Sequence, residues 1–285
     1  MTTATDDSPI RDLPIGVFDS GLGGLTVAGA IRTALPDESL IYLGDTARVP
    51  YGSRSAHTVI RYARSCASHL SARGMKVLVV ACNTVSAVAL DMLRLELDVP
   101  VLGVVLPGAQ AGVAASGSGK LGVLATRGTV ASGAYVRATG SIAPRVEVIA
   151  RPAPLFVPLA EEGWVDGDVP EQVARTYLEP LVADGVNAVV LGCTHYPLLR
   201  PVIEKVLAQL GSSAAVVDGA EATAEALREV LADRSLPTTR PGPGSLEMLV
   251  TDLPARFAAV ASRFLGEEVP GEMLTQVDLL SVTHI

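Results

Sequence analysis

Two cysteines stand in settings that suit proton chemistry. Cys193 lies in residues 187–200, NAVVLGCTHYPLLR, after an apolar run over 188–191 and ahead of Pro197. A short Val-rich run reads as a buried strand, and Pro favours the first turn of a helix. The pattern places Cys193 between the carboxyl end of a strand and the start of a helix, where ligands bind in open α/β sheets. Free backbone N–H groups at a helix start favour a thiolate or a bound carboxylate. A buried free cysteine is by itself common and usually inert, so one such residue decides nothing. The setting recurs, however. Residues 76–90, KVLVVACNTVSAVAL, carry an apolar run over 77–80, then Cys82, Asn83, Thr84 and a further helical stretch. Each copy has an upstream companion: IGVFDSGLGGLTVA over 15–28 and LGVLATRGTVASG over 121–133 both read as strand, polar turn, Gly, then Thr-Val opening a helix. Gly16 lies 66 residues before Cys82, and Gly122 lies 71 before Cys193. This is a twofold internal repeat with one cysteine per half.

Paired thiols in equivalent halves suit inversion of a stereocentre, which needs a base on one face of a carbon and an acid on the other. A thiol at a helix start is expected to have a lowered pKa, so that a thiolate is accessible near neutral pH. Asp19, at the end of the strand beside the Cys82 strand, and His195, two residues from Cys193, are candidate proton partners; Glu161 is a candidate helper on the second side. Asp19 reads equally as a helix cap. Competing chemistry fits less well. Cys82, Cys193 and His195 have the donor types of a zinc site, but no compact Cys-x₂-Cys or His-x₃-His pair is present. Gly21, Gly23 and Gly24 follow a strand, yet a dinucleotide fingerprint would need its third Gly at Thr26, so the stretch reads as a tight turn that lets a small anion approach the backbone. GSGK over 117–120 has Ala114 and Leu121 at positions where a phosphate loop needs Gly and Ser or Thr, and reads as a linker turn. Cys66, mid-helix, reads as packing, and His57 and His69 as ordinary helix residues.

The elements that must position these groups follow from composition and periodicity. The chain has 285 residues, 49% hydrophobic and 18% charged, enough for two α/β domains. A net charge of −8 with three lysines, Lys76, Lys120 and Lys205, argues against a nucleic-acid partner. No apolar run reaches membrane-spanning length, the opening MTTATDDSPIRD lacks a signal-peptide core, and three cysteines make no disulfide framework; the expectation is a cytoplasmic protein. Strands alternating with helices predict parallel sheets with helices on both faces. The fold expected is α/β: two pseudo-symmetric open-sheet domains with flanking helices and an active site in the cleft between them. The first domain is assigned 1–105 plus 215–285, with a strand over 214–217 returning to it, and the second 106–214. Residues 1–12 are expected to be a mobile tail, a helix is expected over 130–138, and the closing element of the chain is expected over 277–280. The prolines of RPAPLFVPLAEEGW, 151–164, are expected to prevent a regular helix before Pro158. The loop over 44–52, GDTARVPYG, is long for a plain connection and reads as functional.

Five stretches now form a pattern. FDSGLGGLTV, GDTARVPYG, VVACNTVSA, LFVPLAEEG and VVLGCTHYPLL together resemble glutamate racemase, within the aspartate/glutamate racemase superfamily, over about residues 15–224. The resemblance implies a cofactor-independent, metal-free enzyme that interconverts L- and D-glutamate in the bacterial cytoplasm for peptidoglycan synthesis. It implies Cys82 and Cys193 as acid and base, Cys82 acting on D-glutamate and Cys193 on L-glutamate, with Asp19, Glu161 and His195 assisting. It places the substrate against Asp19, Ser20, Pro50, Tyr51, Gly52, Cys82, Asn83, Thr84, Cys193, Thr194 and His195. It further implies a homodimer and, for some members, a restraining contact with DNA gyrase. Ala153 stands where many relatives carry Cys, and the chain beyond Pro237 matches weakly. Aspartate racemase, hydantoin racemase and maleate isomerase-like enzymes share the two-cysteine plan; the VACNT and GCTHYPLL wording favours glutamate. A pyridoxal-phosphate racemase is disfavoured because no lysine falls at a strand end near the motifs. A binding protein for acidic amino acids is the non-enzymatic alternative.

Overall fold

The structure, a computed structural model, describes residues 10–252 and 257–279. Two parallel sheets organise it. The first runs β10-β9-β2-β1-β3-β4 and the second β6-β5-β7-β8. In the first sheet β1 is Ile15–Asp19, β2 Leu40–Gly44, β3 Val77–Val80, β4 Val101–Gly103, β9 Leu246–Val250 and β10 Leu274–Gln276. In the second, β5 is Lys120–Ala125, β6 Val148–Pro152, β7 Val186–Gly192 and β8 Ala215–Asp218. The central strands are mostly apolar and buried along nearly their whole length because both faces are covered. Ile15 and Val17 point into one apolar cluster, while Phe18, Leu78 and Val80 point into another on the opposite face.

Each half repeats one pairing. β1 lies between β2 and β3, with Phe18 opposite Val80. β5 lies between β6 and β7, with Ala125 opposite Gly192. The chain therefore leaves β1 and β3 side by side at one sheet's carboxyl edge, and β5 and β7 side by side at the other's. Helices α1 (Leu25–Ala34), α5 (Val105–Ser116) and α11 (Gly219–Asp233) pack between the sheets. One apolar cluster runs through α1 and α11, from Ile15 and Val17 to Val189 and Leu191. Burial of each such Val, Ile or Leu contributes about 1.5–3 kcal/mol, so the two halves share a core as well as a cleft.

Several expectations are corrected. The strand over 214–217 does not return to the first sheet: β8 pairs with β7, Val189 opposite Val216. The second sheet thus extends past the expected boundary at 214, and the chain rejoins the first sheet only at β9. Helix α8, Phe156–Glu162, begins before Pro158, because a proline in a helix's first turn gives up an N–H that has no partner there anyway. The expected helix over 130–138 is two, α6 (Arg127–Ser132) and α7 (Ala134–Ile142), broken at Gly133 with φ +68°. Ile10–Asp12 form a 3₁₀ turn, and Asp12 accepts hydrogen bonds from Thr238 and Thr239, so the end of the expected tail is tied down; residues 1–9 lie outside the described residues. The closing element expected over 277–280 is instead β10 at Leu274–Gln276, and residue 280 lies outside the described residues. No described helix is long and apolar enough to cross a membrane.

Candidate active site

The two carboxyl edges face one cavity of about 180 Å³. Ser20, Val49–Ser53 of the Pro-Tyr-Gly loop, Cys82, Asn83 and Thr84 line it from the first half; Thr126, Arg127, Pro154, Val157, Pro158, Glu161, Cys193, Thr194 and His195 line it from the second. The two thiols of the repeat thus enter one space from different sheets. Both are nearly buried, at 6% and 7% exposure, so water is largely excluded from the sulfurs.

On the first side, Cys82 is the residue before the short helix α3, Asn83–Val88. Its Sγ donates to Ser20 Oγ at 3.5 Å. Asp19 is fully buried beside it and accepts from the Gly21 N–H at 3.0 Å. Burial raises the Asp19 pKa, against the His195 charge and the N–H groups of Gly24, Gly21 and Ser20. Burial, and then the Asp19 charge, push Cys82 up to about 12, against the Ser20 hydroxyl and the Val85 N–H. The lowered pKa expected for this thiol is therefore corrected: desolvation of a buried sulfur outweighs the N–H groups of a short helix. Near neutral pH Cys82 is a thiol.

On the second side, Cys193 follows β7, and a 3₁₀ turn over Tyr196–Leu199 precedes α10, Arg200–Gln209. The regular helix starts at Arg200, after Pro197. Cys193 Sγ lies 3.8 Å from His195 Nδ1, and His195 Nε2 lies 3.0 Å from Glu161 Oε1. Burial alone would lower the His195 pKa, but hydrogen bonds to Cys193 and Glu161, with their charges, together raise it. The second thiol thus has an imidazolium partner where the first has a carboxylate. That asymmetry is invisible in the repeat.

The halves are also bonded across the cleft. Thr194 Oγ1 donates to Asp19 Oδ1 at 3.5 Å, and Tyr135 Oη to Asn83 Oδ1 at 2.8 Å. Thr84 and Thr126 are hydrogen-bonded through hydroxyls 2.9 Å apart. Gly23 makes the approach possible: a Cβ there would lie 2.5 Å from Thr194 Oγ1 and 2.6 Å from His195 Nδ1, closer than any side chain tolerates. The glycine turn does admit a small anion, and it is the chain's own Asp19 carboxylate.

Of the residues expected at the site, all but Asp19 line the cavity; Asp19 is fully buried and is not among the lining residues, and Tyr51 changes role. Tyr51 is 1% exposed and packs at a tilt against Tyr62, with ring centroids 5.4 Å apart. Its hydroxyl donates to Asp45, which also accepts from Arg48 and Thr251. Tyr51 therefore anchors the loop that presents Pro50 and Gly52, and its hydroxyl is committed elsewhere. The sequence reading omitted Asp45, Thr126, Arg127 and Tyr135. Thr126 had a signal: it leads the second copy of the strand–turn–helix pattern, one residue past the Ala125–Gly192 pair, where Ser20 leads the first. Among the described residues, no three His, Cys, Asp or Glu side chains converge on a point that suits a metal ion.

Paired open sheets with one thiol from each at a shared cleft define a class, and the comparisons agree with it. The Asp/Glu/hydantoin racemase family model matches residues 25–227, and the chain belongs to that family. Within it, the chain is similar to glutamate racemases. The Geobacter metallireducens glutamate racemase is 51% identical over 252 residues, 88% of this chain and 92% of that protein. Among solved structures, glutamate racemase from Francisella tularensis in complex with D-glutamate superposes with a TM-score of 0.87 at 36% identity, over 95% of this chain and 99% of that one. The Thermus thermophilus enzyme in complex with β-chloro-D-alanine gives 0.84 at 44% identity, with the same coverage.

Proposed function

We propose that this racemase interconverts L- and D-glutamate by two-thiol acid–base chemistry. The observation that carries the reading is that Cys82 and Cys193 enter one cavity from opposite sheets, Cys82 bonded to Ser20 and Cys193 to His195. A substrate α-carbon held between the sulfurs presents one face to each. With L-glutamate bound, the Cys193 thiolate takes the α-proton, and the electron pair left on carbon is delocalised into the α-carboxylate. The Cys82 thiol then gives its proton to the opposite face, which leaves D-glutamate, a Cys82 thiolate and a Cys193 thiol. The reverse reaction exchanges the roles. Fixed donors aimed at the α-carboxylate stabilise the developing charge, an effect that is strong in a dry site; in this proposal Ser20, Asn83, Thr84 and Thr194, which line the cavity, take that role. Asp19 and the His195–Glu161 pair hold or pass the protons that reset each thiol.

The cavity suits a small amino acid, and the hydroxyl and amide donors around it suit two carboxylates. Protein thiols supply both acid and base, so the proposed reaction needs no cofactor and no metal. On this reading the enzyme works in the bacterial cytoplasm and its D-glutamate enters peptidoglycan. A homodimer, the assembly the resemblance implies, is checked by sedimentation. The decisive experiment follows L-glutamate by circular dichroism in deuterium oxide, with protein treated with chelator and freed of pyridoxal phosphate. Loss of optical activity with solvent deuterium at the α-carbon is expected. Activity abolished by chelation and restored by zinc overturns the reading.

A further inference from the structure

The C-terminal helix reaches the acid–base pair of the opposite half. Helix α12, Phe257–Leu265, belongs to the first half in the chain and packs on α1. Ala261 and Phe264 join the apolar cluster there, the Leu265 carbonyl passes close to Gly29, and Glu267 pairs with Arg32. From that base two consecutive side chains extend to residues of the second half. The Phe264 ring, 4% exposed, stands against the His195 imidazole with centroids 5.1 Å apart at 77°. Arg263 Nη1 donates to the Glu161 carbonyl at 2.8 Å. The guanidinium lies over Gly163, the residue that ends α8 with φ +74°, where a Cβ would fall 2.9 Å from Arg263 Cζ. The same turn of α8 carries the Glu161 carboxylate to His195.

These contacts bear on geometry that catalysis depends on. In a near-perpendicular ring pair the positive edge of one ring meets the negative face of the other, which fixes ring orientation. Rotation of His195 would take Nδ1 from Cys193 and Nε2 from Glu161 together. A cation and a donor at the end of α8 satisfy a free carbonyl and favour the turn that presents Glu161. We propose that Arg263 and Phe264 are positioning residues: docking of α12 on α1 sets the His195–Glu161 pair beside Cys193 and so completes the acid–base unit of the second half. The inference rests on the two-thiol racemase reading of the cleft. It gives a task to a part of the chain whose resemblance to the family is weak.

The test uses Phe264→Leu, Arg263→Met and the conservative Arg263→Lys in the full chain. Positioning predicts a fall of about tenfold or more in kcat/KM for Phe264→Leu and Arg263→Met, as a small misplacement of a catalytic group produces, with partial recovery in Arg263→Lys. The distinguishing readout is the primary isotope effect on kcat/KM with α-deuterated substrate. If only transfer at Cys193 slows, the effect rises for L-glutamate, whose proton Cys193 removes, and falls for D-glutamate, whose proton transfer to Cys82 is then less limiting. A merely structural loss lowers the active fraction and leaves both isotope effects unchanged, which overturns the proposal. Histidine titration by NMR, with His195 assigned through His195→Asn, is independent of substrate. Its midpoint is expected to move toward the ordinary imidazole value of about 6.5 in the variants, and an unmoved midpoint overturns the proposal. If the parent chain does not racemise glutamate, the functional reading fails, and the titration still decides the positioning role.

Discussion

Tyr135, from the second half, donates its hydroxyl proton to Asn83 Oδ1, in the first half, over 2.8 Å. Asn83 follows Cys82 directly, and the accepted hydrogen bond leaves its NH₂ group to face the cleft. The tyrosine is buried, packed near Gly108 of α5, so it cannot give up the contact without leaving a buried oxygen unpaired. Tyr135→Phe is expected to free the Asn83 amide to rotate. A typical net hydrogen bond is worth about 0.5–1.5 kcal/mol. If the loss is expressed at the transition state, kcat/KM falls by up to about tenfold. Retention of the parent kcat/KM with only a lowered melting temperature would show that the tyrosine supports the fold and not the amide.

The two thiols are expected to react with alkylating agents in a fixed order. The thiolate is the nucleophile. Cys82, pushed up to about 12 by burial and the Asp19 charge, is protonated throughout the neutral range, whereas Cys193 stands beside the raised His195. Iodoacetamide at pH 7–8 is therefore expected to label Cys193 first in the empty enzyme, as read by peptide mass spectrometry. Because the Cys82 pKa lies above the range tested, its labelling rate should climb about tenfold per pH unit. Asp19→Asn removes the neighbouring negative charge and is expected to speed it. Saturating glutamate should protect both sulfurs. Faster labelling of Cys82 at pH 7 would contradict the asymmetry described above.

The sequence makes the repeat legible because each thiol sits in a contiguous motif whose strand and turn are set by near neighbours. Cys82, Cys193, His195 and Glu161 are found this way, and so is the α/β class. What escaped depends on contacts between distant parts of the chain. Asp45 reads as a loop acid until Tyr51, Arg48 and Thr251 are seen to converge on it. The apolar run of β8 fits an edge strand of either sheet, and only its pairing with β7 decides. The Cys82 pKa follows from burial, which a local motif does not report. Arg263 and Phe264 act on residues roughly seventy to one hundred positions earlier, in a stretch without a recognisable motif.

Substrate selection is expected to follow from the spacing of donors. The cleft offers hydroxyl, amide and backbone groups from both halves, with Arg127 at its edge. Glutamate can engage donors at both ends with its α-carbon between the sulfurs. Aspartate is shorter by a methylene and leaves the donors at one end unpaired, and sites built on hydrogen bonding discriminate strongly against a ligand that leaves them so. We expect kcat/KM for glutamate to exceed that for aspartate by at least about a hundredfold. Comparable values measured by circular dichroism on the same preparation would place the chain among the broader-specificity members of its family.

The assignment of each thiol to an enantiomer can be tested, but not by comparing kcat/KM in the two directions. The enantiomers have equal free energy in water, so kcat/KM must be the same for both in the parent enzyme and in every variant. Exchange of the α-proton with solvent carries the missing information. The resemblance assigns Cys193 to L-glutamate and Cys82 to D-glutamate. Cys82→Ser keeps Cys193, so in deuterium oxide it is expected to exchange the α-proton of L-glutamate without inversion and to leave D-glutamate untouched. Cys193→Ser should do the converse. Racemisation should fall by orders of magnitude in both, since a hydroxyl is a far weaker acid than a thiol and neither serine can replace the lost partner. NMR of the α-proton against time reads exchange, and circular dichroism on the same sample reads inversion. Exchange of D-glutamate by Cys82→Ser, with L-glutamate inert, would reverse the assignment. If both single variants racemise glutamate at the parent rate, the two-thiol mechanism is wrong, whatever the symmetry of the two sheets.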